Sequence, residues 1–323
     1  MVVNYVEASS KQRDGATWKV ALQDTISGES FETHTLFVAD TTGAWQADEG
    51  IQLRLVRGSH LVVPRIQEGA YARAWFGSDG RIVFFIPWGE NEDLTLIGTT
   101  DEDHTEGPDH VHITRGEVDY LLAATRKVFG KRPEIISAYS SLRPLVPKRS
   151  GSAIVASREH RIWRDRDGAL HVAGGKYTTY RSMMCEAADL ILDEREPRLA
   201  GSRLTETTPV NGNFRFVVED ALRGIPAAMH SRMRPYGARA GRIWKAADKA
   251  GLALARIDDA IENDGAMRLL DLLFVSTYWG YERRWDAPAL CVLADYMGAK
   301  LGWDEPRMER EVEAVLRRLE LPA

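Results

Sequence analysis

Apolar and more polar residues alternate through much of the first half of the chain, a period-2 pattern that is typical of β-strands. Trp18, Val20 and Leu22 show this alternation, and the turn residues at 27–29 precede a second run at 31–39. We therefore predict that the chain opens with an antiparallel hairpin or meander. Further strands are predicted at 51–56, 61–64, 70–76, 81–88, 94–98, 135–142, 153–156 and 170–173.

Two helical patterns interrupt this strand-rich region. Thr114 and Glu117 have the spacing of a capping box, and apolar residues follow them at helical spacing. A second helical pattern covers 183–191, and we expect Thr178 or Thr179 to cap its first turn.

From about Glu194 onward, the chain changes to a succession of helical patterns punctuated by prolines, without a convincing strand pattern. The last helix is predicted to begin near Asp304 as its N-cap, with Pro306 in the first turn. We therefore predict a second domain that is entirely helical.

The composition limits the classes of partner. The chain has 323 residues with 42 Lys plus Arg against 47 Asp plus Glu, and the formal net charge of -5 argues against a general nucleic-acid-binding protein. No stretch approaches the roughly 20 apolar residues of a membrane span, and the N-terminal segment lacks the pattern of a secretory signal. We therefore expect a cytoplasmic protein with two reduced, buried thiols at Cys185 and Cys291.

The segment HVAGGKYTTYR, residues 171–181, places two adjacent glycines before a lysine. A nucleotide-hydrolase phosphate loop requires Ser or Thr after the lysine, but Tyr177 follows Lys176, and no glycine stands five positions before Gly175. A strand, a Gly-Gly turn and a helix start would still present N–H groups to a phosphate, a carboxylate or a flavin ring oxygen. A plain connection between a strand and a helix explains the same residues.

Three further side chains are candidates for substrate chemistry, and each has a structural alternative. His60 lies in a Gly-Ser-His turn predicted between two apolar strands; it suits a general base, because an imidazole exchanges protons near neutral pH, or a surface histidine. Arg143 in SSLRPL and Arg158 in VASREH carry the planar donor fork that binds phosphate or carboxylate. Structural ion pairs would explain both arginines equally well.

Two other clusters are interpreted as structural. His104, His110 and His112 lie in an acidic segment, and His110 and His112 would share a strand face. Because that segment is rich in Gly, Pro and Asp, we predict no metal site there. The aromatic segment TYWGYERRW at 277–285 is explained better by a helical core with an exposed polar edge than by a partner or membrane-surface patch.

Six motifs over residues 36 to 181 occur in the order found in one enzyme family: VADTTGAW, RGSHLVVPR, RIVFFIPW, LIGTTDED, SSLRPL and AGGKYTTYR. Together they resemble the FAD-dependent, quinone-linked glycerol-3-phosphate dehydrogenases, which belong to the D-amino-acid-oxidase-like flavoprotein superfamily. The helical tail is similar, more loosely, to the family's C-terminal domain. The resemblance implies an α+β fold: a truncated FAD-dependent oxidoreductase fold with a mixed or antiparallel substrate-domain sheet, followed by an all-α C-terminal domain.

The resemblance also implies an activity and the residues that perform it. In such enzymes the hydride leaves C2 of sn-glycerol 3-phosphate for FAD, giving dihydroxyacetone phosphate, and the electrons pass to a membrane quinone. By resemblance, His60 is the catalytic residue near the substrate hydroxyl, and Arg143 and Arg158 hold the substrate phosphate. Lys176 is implied to contact both substrate and flavin, and the remaining implied cofactor contacts are Thr42, Gly43, Trp45, Gly174, Gly175 and Thr178.

A domain plan follows from the same resemblance. Residues 1–50 would be a remnant of the FAD-binding domain, 51–145 the substrate-binding domain, 146–195 a return to the FAD-binding domain, and 196–323 the helical C-terminal domain. The family's opening strand and G-x-G-x-x-G turn are not found in this sequence, and its N-A-T-G-P-W segment occurs with three changes, as DTTGAW at 40–45. If full-length binding is about 12 kcal/mol and half of it is lost, about 6 kcal/mol remains. We therefore expect that the chain on its own does not retain FAD, and that it acts as the C-terminal portion of such an enzyme.

The partners implied by the resemblance are glycerol 3-phosphate and a quinone, with no nucleic acid. A homodimer and a peripheral association with the inner face of the cytoplasmic membrane are left open. Two alternative functions are also left open. One is a non-catalytic remnant that binds a phosphorylated polyol or a partner protein, and the other is a related flavin oxidoreductase that acts on an amino acid or hydroxy acid.

Overall fold

A computed structural model describes residues 3–46, 51–147, 159–195, 197–199, 201, 204–209 and 214–322. The chain divides into two compact units. Unit 1 comprises Met1–Val56, Asp103–His110 and Leu142–Thr207. Unit 2 comprises Arg57–Glu102, Val111–Ser141 and Thr208–Ala323.

The described part of unit 1 contains two three-stranded sheets. The first is antiparallel, in the order β1 (Val6–Asp14), β2 (Thr17–Asp24) and β3 (Ser30–Thr35). In the second, β12 (Leu170–Gly174) is the central strand. It pairs antiparallel with β11 (His160–Arg164) and parallel with β4 (Ala39–Asp40).

The helix α2 (Tyr180–Arg195) covers the second sheet of unit 1. Ala187 on α2 and the strand residues Leu170 and Val172 form one buried apolar cluster. Burial of these side chains stabilises the strand–helix unit at roughly 25 cal/mol per Å² of apolar surface. β12 is therefore fixed by its two neighbouring strands and by its packing against α2.

Unit 2 is built around a sheet whose main path runs β10-β5-β8-β7-β6. The short strand β9 (Glu102–Asp103) also pairs with β5. The bounds are β5 Arg54–Pro64, β6 Arg73–Phe76, β7 Ile82–Trp88, β8 Leu94–Gly98 and β10 Ser137–Leu145.

One face of this sheet packs against α1 (Arg115–Phe129). Leu61, Ile97 and Phe85 are paired across β5, β8 and β7, and all three are 0% exposed beneath the apolar face of α1. Because side chains alternate along a strand, residues next to these in sequence point to the other face of the sheet.

The remaining helices of unit 2 form their own apolar cores. Trp279 belongs to the largest of these cores, so the predicted helical core at 277–285 is confirmed. Two π-helical turns, Ala260–Asp264 and Leu272–Ser276, occur within this region. The helices are α3 Arg215–Ala221, α4 His230–Met233, α5 Ala240–Ala250, α6 Leu252–Asp259, α7 Leu269–Asp271, α8 Trp279–Glu282, α9 Ala287–Leu301 and α10 Glu305–Leu319.

The predicted α+β fold, with antiparallel and mixed sheets followed by helices, is confirmed. Local capping signals also predict two helix starts correctly. Thr114 and Glu117 form the reciprocal capping box of α1. Asp304 caps α10, since its side chain accepts a hydrogen bond from the Arg307 N–H at 2.9 Å.

The predicted threonine cap of α2 takes a different form. A 3-10 turn, Tyr177–Thr179, precedes α2, and Lys176 is its N-cap. The Thr179 hydroxyl accepts a hydrogen bond from the Lys176 N–H at 3.2 Å and donates to the Lys176 carbonyl at 3.0 Å. The hydroxyl thus closes the loop that follows β12.

Several strand predictions require correction. The first strand, β1, was not predicted, because nearly all its side chains are exposed and give no apolar alternation. The turn predicted at 58–60 is wrong, because β5 runs without interruption from Arg54 to Pro64. The strand predicted at 153–156 lies outside the described residues. Cys291 is exposed rather than buried, while Cys185 is partly buried, and both thiols are free.

Candidate functional site

The parallel pair of β4 and β12 brings two of the candidate segments together in unit 1. Leu170 pairs with Ala39, and His171 pairs with Asp40. The two strands run in the same direction; β4 ends at Asp40, opposite His171, and β12 continues to Gly174 at the same side of the sheet. The segments 41–45 and 174–178 both leave from this edge, the position where open α/β sheets generally bind ligands.

The segment after β4 is ordered by its own side chains. Asp40 Oδ1 accepts hydrogen bonds from the Thr42 N–H at 3.0 Å and from the Thr42 hydroxyl at 2.7 Å. Gly43 has a φ of +64°, a conformation that favours glycine, and opens a 3-10 turn that ends at Trp45. Trp45 Nε1 donates to Asp109 at 2.8 Å, and the Trp45 ring remains 58% exposed.

A buried histidine links this segment to β12. The imidazole of His171 lies with Nδ1 2.6 Å from Gln46 Nε2 and 3.5 Å from an Asp40 oxygen, and with Nε2 3.0 Å from Asp165. Lys11 forms an ion pair with Asp165 at 2.9 Å. Although burial alone would raise it, the hydrogen bonds from His171 and Lys11 hold the pKa of Asp165 well below its usual range.

The last residue of β12 and the residue after it are glycines in a conformation that disfavours a side chain. Gly174 has a φ of +78°, and a Cβ there would lie 2.6 Å from the Glu159 carbonyl oxygen and 2.9 Å from Val146 Cγ2. Gly175 has a φ of +83°, and a Cβ there would lie 3.0 Å from Met183 Sδ. The chain therefore turns tightly here and presents main-chain groups, with the exposed Lys176 directly after them.

His60 belongs to unit 2, where it lies inside β5 rather than in the predicted surface turn. It pairs with Gly98 on β8, and its ring stacks on that of Tyr139, with centroids 4.9 Å apart and an interplanar angle of 11°. His60 is partly buried, so it has neither the exposure nor the loop backbone of a turn residue.

A buried polar network fixes β5 immediately before His60. The Glu117 carboxylate accepts hydrogen bonds from the Ser59 hydroxyl at 2.8 Å and the Thr100 hydroxyl at 2.6 Å, and it pairs with Arg57 at 3.0 Å. Burial opposes ionisation of Glu117, but these donors hold the pKa of its carboxyl below its usual value. Ser59 therefore anchors β5 to this carboxylate from within the strand.

The two candidate arginines differ in what the structure says of them. Arg143 lies near the end of β10 in unit 1, and its side chain is partly buried. Arg158 lies outside the described residues. Unit 1 thus contains Arg143 together with the segments 41–45 and 174–178, while His60 belongs to unit 2.

Three residues of the two units are not evident as functional from the sequence. His171, in unit 1, is one position of a predicted apolar strand, and no local pattern assigns a role to Tyr139 or Gly98, in unit 2. A histidine inside the apolar run 170–173 indicates a buried imidazole whose nitrogen atoms have hydrogen-bond partners. The local sequence does not identify these partners, which are Asp40 and Asp165.

The described residues give no indication of a metal centre. Among them, no group of three or more His, Cys, Asp or Glu side chains is arranged to hold a metal ion. His104 is buried with Nε2 2.7 Å from the Gly107 carbonyl oxygen. The strand face proposed for His110 and His112 is wrong, because neither residue lies in a strand.

In the part of the chain that the structure describes, no helix is both long enough and apolar enough to cross a membrane.

The chain is similar to several known proteins. The sequence profile of the FAD dependent oxidoreductase family (DAO) matches residues 2–190. A glycerol-3-phosphate dehydrogenase of Pseudomonas tolaasii is 31% identical over 288 residues, which cover 82% of this chain and 55% of that protein. An aerobic glycerol-3-phosphate dehydrogenase of Escherichia coli (strain K12) is 34% identical over 198 residues, which cover 56% of this chain and 39% of that protein. The chain therefore spans about half the length of these relatives, or less.

A solved structure shares the fold. The X-ray structure of the glycerol-3-phosphate dehydrogenase from Bacillus halodurans complexed with FAD superimposes with a TM-score of 0.77 at 21% sequence identity. The match covers 98% of this chain and 68% of that one. The likeness confirms the fold predicted from the six sequence motifs.

Proposed function

Since the chain belongs to the FAD dependent oxidoreductase family, we propose that it takes part in the oxidation of sn-glycerol 3-phosphate to dihydroxyacetone phosphate, with FAD as its cofactor. In this proposal, residues 1–50 and 146–195 form the flavin-binding part and residues 51–145 the substrate-binding part. Residues 196–323 are the helical C-terminal domain. The named relatives are glycerol-3-phosphate dehydrogenases, which supports this choice of substrate.

One observation carries the proposal: the parallel pairing of β4 with β12 places the segments 41–45 and 174–178 at one edge of a sheet. Both segments come from motifs that resemble flavin-contacting motifs. They are more than a hundred residues apart in the chain, so their meeting depends on the fold. The cofactor contacts in this proposal are Thr42, Gly43, Trp45, Gly174, Gly175, Lys176 and Thr178.

The residues at this edge fit a flavin. Gly174 and Gly175 keep side chains away from a tightly turned main chain, and Lys176 is exposed beside them. A bound FAD supplies the hydride acceptor of the reaction. A lysine and main-chain N–H groups at the start of α2 would stabilise negative charge that develops on an adjacent ring oxygen.

The substrate side of the proposal rests on charge and proton transfer. Arg143, and Arg158 in the same role, would hold the phosphate through paired N–H donors, and Lys176 would assist as a third cation. This remote binding energy orients C2 of the substrate. His60 would hold the C2 hydroxyl and accept its proton.

The electron acceptor and the assembly are proposed from the resemblance alone. We propose a quinone as the final electron acceptor, and with it a peripheral association with the inner face of the cytoplasmic membrane. A homodimer is compatible with the same resemblance. Each of these can be tested separately from the reaction itself, by varying the acceptor, by adding vesicles and by measuring the molar mass in solution.

Steady-state kinetics of the full chain, with added FAD and an artificial electron acceptor, test the substrate assignment. Arg143→Gln should raise KM for glycerol 3-phosphate about 10- to 100-fold, because one charged hydrogen-bonded contact contributes about 1.5 to 3 kcal/mol. Arg166→Gln, which removes an exposed arginine of the turn between β11 and β12, is the matched control and should change KM less than about 2-fold. Equal effects of the two substitutions would contradict the assignment of Arg143.

A further inference from the structure

One row of residues crosses the sheet of unit 2 on the face opposite α1. His60 on β5 pairs with Gly98 on β8, and Gly98 pairs with Phe84 on β7. The next row, Leu61, Ile97 and Phe85, is buried against α1 (see above). Because side chains alternate, the row that contains His60 faces away from that core.

Gly98 leaves the space in which the His60 ring lies. A Cβ added to Gly98 would be 2.1 Å from His60 Cδ2 and 2.7 Å from both Cγ and Nε2. Contacts below 3.0 Å are not tolerated by real carbon atoms, so any side chain at position 98 would displace the ring. The imidazole therefore lies across the sheet, directly over the glycine main chain.

Tyr139 closes the second side of the His60 ring. The two rings are nearly parallel, at 11°, with centroids 4.9 Å apart. Tyr139 also contacts Tyr281, at a centroid distance of 5.1 Å and an angle of 58°, so its own ring is supported from behind. Burial raises the pKa of Tyr139 to about 12, so the phenol remains neutral beside the imidazole at working pH.

The strands that carry these rings are themselves locked together. The Ser59 and Ser140 hydroxyls are 2.7 Å apart, one residue before His60 and one residue after Tyr139. The Ser59 N–H also donates to the Thr100 hydroxyl at 2.9 Å, which ties β5 to the end of β8. The backbone positions of both rings are therefore fixed, and only rotation of the side chains remains to be controlled.

We propose that Gly98 and Tyr139 are positioning residues for His60: together they hold its imidazole in one orientation before substrate arrives. The role of His60 at the substrate hydroxyl rests on the function proposed above, but its confinement does not. A ring that is held in this way loses no rotational freedom when the substrate binds, which lowers the barrier to proton transfer. Neither residue is required to touch the substrate.

Nuclear magnetic resonance of the full chain, labelled with ¹³C at histidine Cε1, tests the confinement directly. The His60 signal is identified by its loss in His60→Gln. We expect this signal to be shifted by the ring current of Tyr139, and to move toward the position of a free histidine in Tyr139→Leu. Tyr139→Phe, which keeps the ring and removes only the hydroxyl, should leave it nearly unmoved, and Gly98→Ala should move it.

Kinetics provide the second readout. Gly98→Ala and Tyr139→Leu should lower kcat for glycerol 3-phosphate oxidation about 10- to 100-fold with KM changed less than about 3-fold, because a misplaced catalytic group slows the reaction without weakening phosphate binding. Tyr139→Phe should restore most of the activity. If Gly98→Ala does not fold, the comparison of Tyr139→Leu with Tyr139→Phe still decides the proposal.

The outcomes separate this proposal from the proposed function. A His60 signal that is the same in the unsubstituted chain, Tyr139→Leu and Gly98→Ala would overturn the positioning role. So would an equal displacement of the signal in Tyr139→Phe and Tyr139→Leu. Failure of the unsubstituted chain to oxidise glycerol 3-phosphate would contradict the proposed function, whereas the His60 signal would still show whether the two residues hold the ring.

Discussion

Arg57 and Glu117 form a buried ion pair: Arg57 Nη2 lies 3.0 Å from Glu117 Oε2, and the two side chains are 10% and 3% exposed. The Glu117 carboxylate also accepts hydrogen bonds from Ser59 and Thr100. These donors belong to β5 and to the segment after β8, while Glu117 belongs to the first turn of α1. The pair therefore joins the sheet to the helix at the residues next to His60.

Replacing Glu117 by Gln should lower the free energy of unfolding by about 2 to 4 kcal/mol, because it removes the buried negative charge that pairs with Arg57. Chemical denaturation followed by circular dichroism measures this change. Asp119→Asn on the same helix is the control, since Asp119 is half-exposed in its pairs with Arg115 and Arg132, and its loss should cost less than about 1 kcal/mol. A Glu117→Gln protein as stable as the control would contradict the role assigned to this network.

The stability of unit 2 should depend on the ionisation of Glu282. Burial, followed by the nearby Glu90 carboxylate, raises the pKa of Glu282 from 4.5 to about 7, while Arg256 acts in the opposite direction and Asp93 adds to the rise. Between these pH values the folded protein binds a proton that the unfolded chain has released. Stability due to this group therefore falls as the pH rises from about 4.5 through 7.

Glu282→Gln should remove this pH dependence, because an amide oxygen can still accept the Glu90 N–H, which lies 3.0 Å from Glu282 Oε1. We expect the loss of stability between about pH 5 and pH 8 to be smaller in the variant by roughly 1 to 2 kcal/mol, after allowance for partial solvent screening. Denaturation curves of the two proteins across this range measure the difference. Parallel curves would show that Glu282 does not titrate as described.

Gly174 should tolerate substitution less well than another glycine of the same hairpin. Both Gly174 and Gly168 have positive φ values, +78° and +90°, but a Cβ meets nearby atoms only at Gly174. Gly168→Ala should cost about 1 kcal/mol through backbone strain, and Gly174→Ala roughly 2 to 4 kcal/mol through strain and steric overlap. Thermal or chemical unfolding compares them, and equal costs would contradict the close approach at Gly174.

His171 should hold the segment after β4 in place. His171→Ala removes the bonds to Asp165 and Gln46 and should increase hydrogen exchange of the amides at 36–46 by about 10-fold or more. His34→Ala on β3, where the side chain is exposed, is the control and should leave these amides unchanged. Mass spectrometry of peptic fragments provides the measurement. Unchanged protection of 36–46 in His171→Ala would refute the link between His171 and this segment.

Local signals in the sequence predicted the features that local interactions determine. The capping box of Thr114 with Glu117 and the Asp304 cap depend on residues three positions apart, so a short window contains all the information. The alternation in 82–88 likewise predicted β7. The prediction of a turn from glycine was less reliable at 58–60. The strand through these residues is maintained by pairing with β8 and by contact with Glu117, and both are distant in sequence.

The candidate residues of each unit depend on contacts that no short window contains. Within unit 1, the parallel β4–β12 pair brings together the strands that precede 41–45 and 174–178. Within unit 2, the stack of His60 on Tyr139 joins residues on different strands. Resemblance to a family suggested His60 and the glycine loop. It did not suggest His171, Gly98 or Tyr139, whose roles follow from burial and ring geometry.

The flavin absorption spectrum of the purified full chain tests the central claim most directly. The chain is titrated with FAD, and glycerol 3-phosphate is then added under anaerobic conditions, with glycerol as the control for the phosphate. We predict a perturbed FAD spectrum with a dissociation constant in the tens of micromolar or tighter, corresponding to about 6 kcal/mol or more, and bleaching of the flavin band by glycerol 3-phosphate but not by glycerol. An FAD spectrum that the chain leaves unchanged, or bound flavin that glycerol 3-phosphate does not bleach, would contradict the proposed function.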